Sequence, residues 1–411
     1  MKKRLSLLLI QSIFLMLTAC GGGGGDGGAS LTPSDSNSSD DGEPSLTPSD
    51  SNNQTVSRGD LVSSELLATK SGTFFIPYSV NAYKITYNTV DVDGNAIEAS
   101  GLLAVPNKDS AEKSPLISYQ HATIFLDTQA PSNSSTSANG IMTLAGAGYI
   151  VSAADYIGYG ESADKIHPYI HADSLASASI DMLQASKAFL QSKGFITNTQ
   201  LFLAGYSEGG YATLALQKAI QEDSASGFTV TASAAGAGPF DLSETAKKIA
   251  NQTSNPDPSY MSFLLKAYDS TYHLNQVSEM YQSQYVNTIN SVFNGQNSGG
   301  SIDNRLTETT ADLFNAPFLN ALQGNGAHVI KDKLALNNIY DWKPTAPTRL
   351  FHGPNDEIVP YSNAQKALTT MTENGATNVR LVDCVLNSHA DCAIPYVLDT
   401  LSFFVIYAND L

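Results

Sequence analysis

The sequence predicts an α/β fold with a mostly parallel central sheet flanked by helices and entered through antiparallel strands. Three observations carry that prediction. Short apolar runs alternate with helical stretches along most of the chain. The runs are apolar enough to be buried on both faces, as strands of a parallel sheet are. Two β-prone segments near the start are joined by Asp93-Gly94-Asn95, a turn signal.

Composition narrows the field. A chain of 411 residues that is 42% hydrophobic can bury one large core or two modest ones. Its net charge is −17, of which residues 1–60 carry −3 and residues 61–411 carry −14. A body that acidic repels phosphate, so no nucleic-acid partner is expected. Three cysteines without a CxxC pair argue against a disulfide scaffold and against structural zinc, and no metal site is expected. Coiled coil, collagen and multi-span membrane architectures are excluded on composition.

The first twenty residues read as an address. Met1-Lys2-Lys3-Arg4 is positive, and Leu5 to Leu17 is an apolar run too short to span a bilayer. The run ends in Leu17-Thr18-Ala19-Cys20 and is followed by five glycines. This resembles the lipobox of bacterial lipoproteins, which implies that Cys20 is lipidated and becomes the mature N-terminus. The alternative is an ordinary secretory signal with an unrelated cysteine. Gly21 after the cysteine favours the outer membrane in a Gram-negative cell. The expected location is therefore the cell envelope, lipid-anchored at the outer membrane or cell surface of a Gram-negative cell, with the membrane met through the anchor and release as the alternative. Residues 21–60 are Gly, Ser, Asp, Asn and Pro with little to bury, a linker. Within it Ser30–Asn37 recurs unchanged as Ser45–Asn52, a spacer repeat. Arg58-Gly59-Asp60 is taken as chance.

Three segments are expected beyond the linker: a first core part at 61–240, a helical cap or lid at 241–342, and a second core part at 343–411. In the first, a hairpin of Tyr83–Val92 and Ala96–Val105 precedes strands at Leu116–Tyr119, Tyr149–Ala154, Leu201–Ala204 and Val230–Ala234. Helices are predicted at Ile141–Ala147, Ser174–Ser192 and Gly209–Gln221. Alternation resumes at Thr348–His352, Tyr361–Glu373, Val379–Val382 and Ile394–Tyr407. The middle segment has no clear strand, and Phe263, Leu264 and Ala267, then Phe314, Phe318 and Leu322, recur at helical spacing. Its aromatic residues are expected to form first of all its own core.

Chemistry is concentrated at Gly205-Tyr206-Ser207-Glu208-Gly209-Gly210, directly after an apolar strand and before a helix. A serine on so sharp a turn exposes its hydroxyl and places the next backbone N–H at a helix N-terminus, where negative charge is favoured. A serine nucleophile needs a base, and the base needs an acid to fix its tautomer. In the order Ser, acid, His, the acid candidate is Asp356 in His352-Gly353-Pro354-Asn355-Asp356-Glu357, and Glu357 is its alternative. Only His389 follows it among the seven histidines. Asp383 and Asp391 read as solvated loop residues. A second oxyanion N–H is expected from Ala122 or Thr123, after the strand ending Tyr119, together with that of Glu208. His121 reads as an anchor of that loop. His167 and His171 lie at i, i+4 without a third ligand close by and read as surface residues. The loop Asp155–Ser162 is expected to shape the pocket rim. Cys384 and Cys392 flank His389 closely, and in an oxidising compartment they are either a disulfide closing that loop or two independent buried thiols.

With these residues in place, 61–411 resembles an α/β-hydrolase of the secretory lipase family. The resemblance rests on the segment Ala99–Pro106, on Ser118-Tyr119-Gln120-His121, on the Asp155–Ser162 loop, on the Ser207 turn and on the segments of Asp356 and His389. It implies hydrolysis of carboxylic esters, often of lipids, through an acyl-serine intermediate and without a cofactor. One departure is that Ala122 stands where the oxyanion loop usually has glycine after His. Alternatives are a peptidase or polymer esterase on the same fold, and a non-catalytic surface binding lipoprotein. The sequence does not give the oligomeric state.

Overall fold

The structure is a computed structural model that describes residues 57–74, 76–109, 111–386 and 388–411. The segment 1–20 read as a signal, with Cys20, and residues 21–56 of the expected linker lie outside the described residues. Among the described residues nine strands form one sheet: β1 Leu61–Lys70, β2 Val80–Val90, β3 Ala96–Pro106, β4 Lys113–Gln120, β5 Ile150–Ala154, β6 Ile196–Tyr206, β7 Val230–Gly236, β8 Thr348–His352 and β9 Val379–Asp383. Their order across the sheet is β1-β2-β3-β5-β4-β6-β7-β8-β9. The first three strands run antiparallel to their neighbours, and β5, β4 and β6 to β9 pair parallel.

The predicted hairpin is β2–β3, turning through Asp91–Asn95 with Gly94 at φ +81°. The strand β1 is an addition. Its residues are exposed or half-buried and show no two-residue apolar period, so only its pairing with β2 defines it.

Neighbouring residues of the strands feed opposite cores. Leu103, Leu116, Leu201 and Leu203 join one cluster, whereas Leu102, Ile117, Phe202 and Ala204 join the other. Helices α2 Ala172–Ser192, α3 Glu208–Glu222 and α8 Ser362–Glu373 cover the first face, and α1 Ser135–Ala145 and α9 Ala393–Tyr407 the second. The chain leaves β4 for β5 on one side and then crosses to β6 on the other. The crevice at the carboxyl ends of β4 and β6 is thus a topological switch point, where open α/β sheets bind ligands.

Between β7 and β8 the chain is helical: α4 Leu242–Ala250, α5 Pro258–Thr271, α6 Ser283–Val292 and α7 Val329–Leu336, with shorter turns between them. The Asp241 carboxylate caps α4 by accepting from Glu244 N–H at 3.1 Å, and α5 starts on Pro258. Phe263, Tyr268, Phe314 and Phe318 are buried in the same continuous cluster as the first face of the sheet. The aromatic residues therefore extend the main core instead of building a separate one.

Candidate active site

One residue separates β6 from α3, and it is Ser207. Its backbone sits at φ +60°, ψ −123°, a conformation that non-glycine residues rarely adopt and that the surroundings must hold. Ser207 N–H donates to the Gly236 carbonyl at 2.8 Å. The flanking glycines are a steric requirement. A Cβ at Gly205 would stand 2.3 Å from the Gly209 carbonyl oxygen, one at Gly209 would stand 2.2 Å from that of Gln120, and one at Gly210 would stand 2.1 Å from that of Gly236. The turn is thereby pressed between the ends of β4 and β7. Glu208 opens α3, so its amide has no acceptor within the helix.

The loop after β4 lies against that turn, since the Gly209 position also faces the His121 carbonyl. His121 is buried, with Nδ1 2.8 Å from the Ala122 carbonyl and Nε2 3.2 Å from the Asp155 carbonyl, in keeping with an anchoring part. Burial pushes its imidazole pKa down. Asp155 is fully buried and accepts from Ser100 Oγ at 2.6 Å and from Ser132 N–H and Oγ at 2.8 and 2.5 Å. Burial nevertheless pushes its carboxyl up. Asp155 braces the base of the loop it begins. The Thr123 hydroxyl meets Tyr169 Oη at 2.8 Å.

Asp356 and His389 are brought together: Nδ1 lies 2.6 Å from Asp356 Oδ2. The other carboxylate oxygen accepts from the amides of Ile358 and Val359 at 3.0 and 2.7 Å. Burial opposes ionisation of Asp356, but hydrogen bonds from His352 and His389, and their charge, outweigh it and hold its carboxyl well below the usual carboxylate range. An anchored carboxylate at Nδ1 leaves Nε2 as the free nitrogen of His389. Glu357 also contacts His389, but its Oε2 accepts from the backbone N–H at 3.0 Å, so it positions the chain and not the ring. Cys384 and Cys392 form a disulfide, Cα to Cα 5.9 Å, that closes the loop around His389. Asp383 and Asp391 are exposed, and Asp383 ends β9 and accepts from Tyr361 Oη at 2.5 Å.

The secretory lipase profile matches residues 131–401, most of the described chain and all of the segments just described except the loop after β4. The chain belongs to the secretory lipase family. Solved structures agree. The rice cell wall degrading esterase LipA from Xanthomonas oryzae is 28% identical, with a TM-score of 0.75, the match covering 85% of this chain and 97% of that one. A protein from Legionella pneumophila subsp. pneumophila is 27% identical at a TM-score of 0.77, covering 84% and 98%. Candida antarctica lipase A in its closed state shares the fold at 16% identity and a TM-score of 0.66, covering 88% and 86%. A search of curated protein sequences found no significant match. This secretory lipase is thus a carboxylic ester hydrolase with the α/β-hydrolase fold, acting on ester or lipid substrates.

Several residues of this secretory lipase escaped the sequence reading. Tyr206, next to the serine, donates from Oη to the His389 carbonyl at 2.7 Å and packs its ring 5.1 Å from the imidazole, which sets the His389 loop beside the Ser207 turn. Among the described residues no hydrogen bond joins the Ser207 hydroxyl to His389. His352 is buried on the other side of Asp356, its Nε2 3.2 Å from Oδ2. No local pattern separates these residues from ordinary core ones. The surface reading of His167 and His171 is corrected: both are buried. His171 caps α2 through Nδ1, which accepts from Ser174 N–H at 3.4 Å. His167 reaches under the serine turn to Glu208, 2.8 Å away. Spacing alone missed both because their partners are a helix end and a residue forty-one positions on.

Proposed function

We propose that this secretory lipase hydrolyses esters through an acyl-serine intermediate formed on Ser207, with His389 as base and Asp356 as the acid that orients it. The observation that carries the proposal is the 2.6 Å Asp356–His389 pair, tethered at the His389 carbonyl by Tyr206, the residue before a strained serine. Ser207 Oγ attacks the ester carbonyl while His389 Nε2 takes its proton. The tetrahedral oxyanion is held by the Glu208 amide and by that of Ala122 or Thr123. His389 then protonates the leaving alcohol, and water enters by the same route to release the acid. The negative Asp356 keeps Nδ1 protonated and stabilises the imidazolium while it exists.

The insert 241–342 serves in this reading as a cap between the core parts 61–240 and 343–411. Phe263 supports that role, because its ring stacks on Tyr169 at 4.6 Å and lies 5.4 Å from Phe125, which belongs to the loop after β4. Likeness to a cell wall degrading esterase favours polymer-bound esters as a second substrate reading. A panel of acyl esters of rising chain length and polymer-linked esters, run on wild type and Ser207→Ala, tests both. The variant should lose roughly 10⁴-fold or more in rate while staying folded. Activity within tenfold of wild type would remove Ser207 from the mechanism. The proposed lipid anchor is tested by Cys20→Ser, which should move the enzyme from the membrane fraction to the medium; unchanged membrane association refutes it.

A further inference from the structure

Beneath the serine turn lies a pair of ionisable groups that the proposed reaction does not use. His167, on the loop after β5, is 3% exposed, and Glu208 is 1% exposed. Nδ1 of His167 faces the Ile157 carbonyl at 2.7 Å and Nε2 faces Glu208 Oε1 at 2.8 Å. Both ring nitrogens therefore face acceptors, whereas a neutral imidazole carries one N–H. The two contacts need one more proton than a neutral histidine beside a carboxylate supplies. That proton satisfies both whichever partner holds it. An imidazolium donates to both oxygens; alternatively, protonated Oε1 donates to Nε2 while Nδ1–H donates to Ile157. In either arrangement the pair is neutral as a whole. Oε2 of Glu208 has no partner among the described residues. An uncompensated carboxylate there would be buried with nothing to replace its water.

The place of this pair gives it a consequence, one that rests on the function proposed above. The residue that carries the buried carboxyl also carries the N–H assigned to the oxyanion. We infer that His167 and Glu208 form a proton-sharing pair that keeps the interior of the serine turn neutral, and that His167 is a positioning residue for the oxyanion site. A bare negative charge at Glu208 would oppose the negative charge developing on the substrate oxygen one residue away.

Further ionisable groups are packed around the pair. From the loop after β4, His121 has its pKa pushed down by burial. From the loop after β5, Tyr156, Tyr159 and Tyr169 are pushed well up by burial and by the Glu208 charge. Lys165 lines the same small cavity as His167. The helical insert contributes the uncharged rings of Phe263, 5.9 Å from the imidazole, and Phe293, which lines that cavity.

The experiment compares His167→Gln with His167→Gln/Glu208→Gln, measuring kcat and KM for a soluble ester across pH. Glutamine keeps a hydrogen-bond donor at 167 but supplies no proton. The single variant should lose roughly 10²-fold in kcat, the scale of an opposed oxyanion donor, with KM little changed and a deficit that deepens as pH rises. Removing the carboxyl in the double variant should recover most of the loss and flatten its pH dependence. A deficit equal at every pH and not recovered would make His167 a packing residue and overturn the inference. Should His167→Gln fail to fold, the double variant decides: recovery of folding and of most of the activity on removing the Glu208 carboxyl supports the pairing, and a double variant that also fails to fold makes His167 a packing residue and overturns it. Labelling of wild-type Ser207 by a serine-directed phosphonate separates the two readings, because an unlabelled wild type would refute the acyl-serine mechanism itself.

Discussion

The serine turn and the His389 loop face each other across the candidate site, and they are held by opposite means. The turn is fixed by contiguous sequence and backbone sterics: three glycines within six residues let β4, β7 and α3 close on it. The His389 loop has no such local pattern. Its position depends on side chains from remote elements: Asp356 and Glu357 after β8, Tyr206 at the end of β6, and the Cys384–Cys392 bridge. A single added methyl group in a turn held by sterics displaces every element packed against it. One that depends on several tethers loses them one at a time. The proposed nucleophile thus sits on a turn confined by sterics, and the proposed base on a loop whose constraints are distributed.

Substitutions can break or sharpen that contrast. The largest effect is expected on the strongest tether. Asp356→Asn should cost roughly 10⁴-fold in kcat, because an amide cannot hold Nδ1 protonated. Glu357→Gln, which touches only the backbone of the same histidine, should cost far less; the reverse order in kcat/KM would make Glu357 the acid. The same variant reports on stability. Asp356 has a depressed pKa in the folded state, so its ionisation stabilises the fold above the unfolded value of about 3.9 and that stabilisation is lost as pH falls below it. The stability gap between wild type and Asp356→Asn, read by denaturant melts, should therefore narrow below about pH 4.

Next comes the turn. Gly209→Ala places a methyl group 2.2 Å from the Gln120 oxygen and must push α3 away from the loop after β4. A displacement of about 1 Å costs on the order of 10²-fold in rate, so activity should fall on that scale, with KM less affected. Wild-type kcat in this variant would show that the turn is not as tightly confined as the contacts require.

The smallest effect is expected at the bridge. Cys384→Ser/Cys392→Ser should lower stability by roughly 2–3 kcal/mol on chain-entropy grounds and reduce kcat modestly, since Asp356, Glu357 and Tyr206 remain. Thermal melts with and without reductant check it: reductant should shift wild type and leave the double variant unmoved. A loss of activity as deep as that of Asp356→Asn would mean that the loop hangs on the disulfide alone.

The sequence by itself determined what depends on neighbours along the chain. Alternating apolar runs and helical stretches were enough for the sheet class, Asp93-Gly94 for the β2–β3 turn, and the glycines around Ser207 for the strand–turn–helix, because in each case the physical cause lies within a few residues. Chain order singled out Asp356 and His389 as candidates, and the closeness of the two cysteines offered the bridge as one of two readings. Only the tertiary structure decided the rest. β1 has no apolar period and exists through its pairing with β2. The insert looked self-sufficient because helical spacing shows which residues are buried, not against what, and its aromatics pack into the core of the sheet. Glu357 and Asp356 are neighbours of identical charge, and only the fold shows that one meets a ring nitrogen and the other a backbone amide. His167 and Glu208 are forty-one positions apart, and no local periodicity registers a pair whose meaning comes from being shut away from water together.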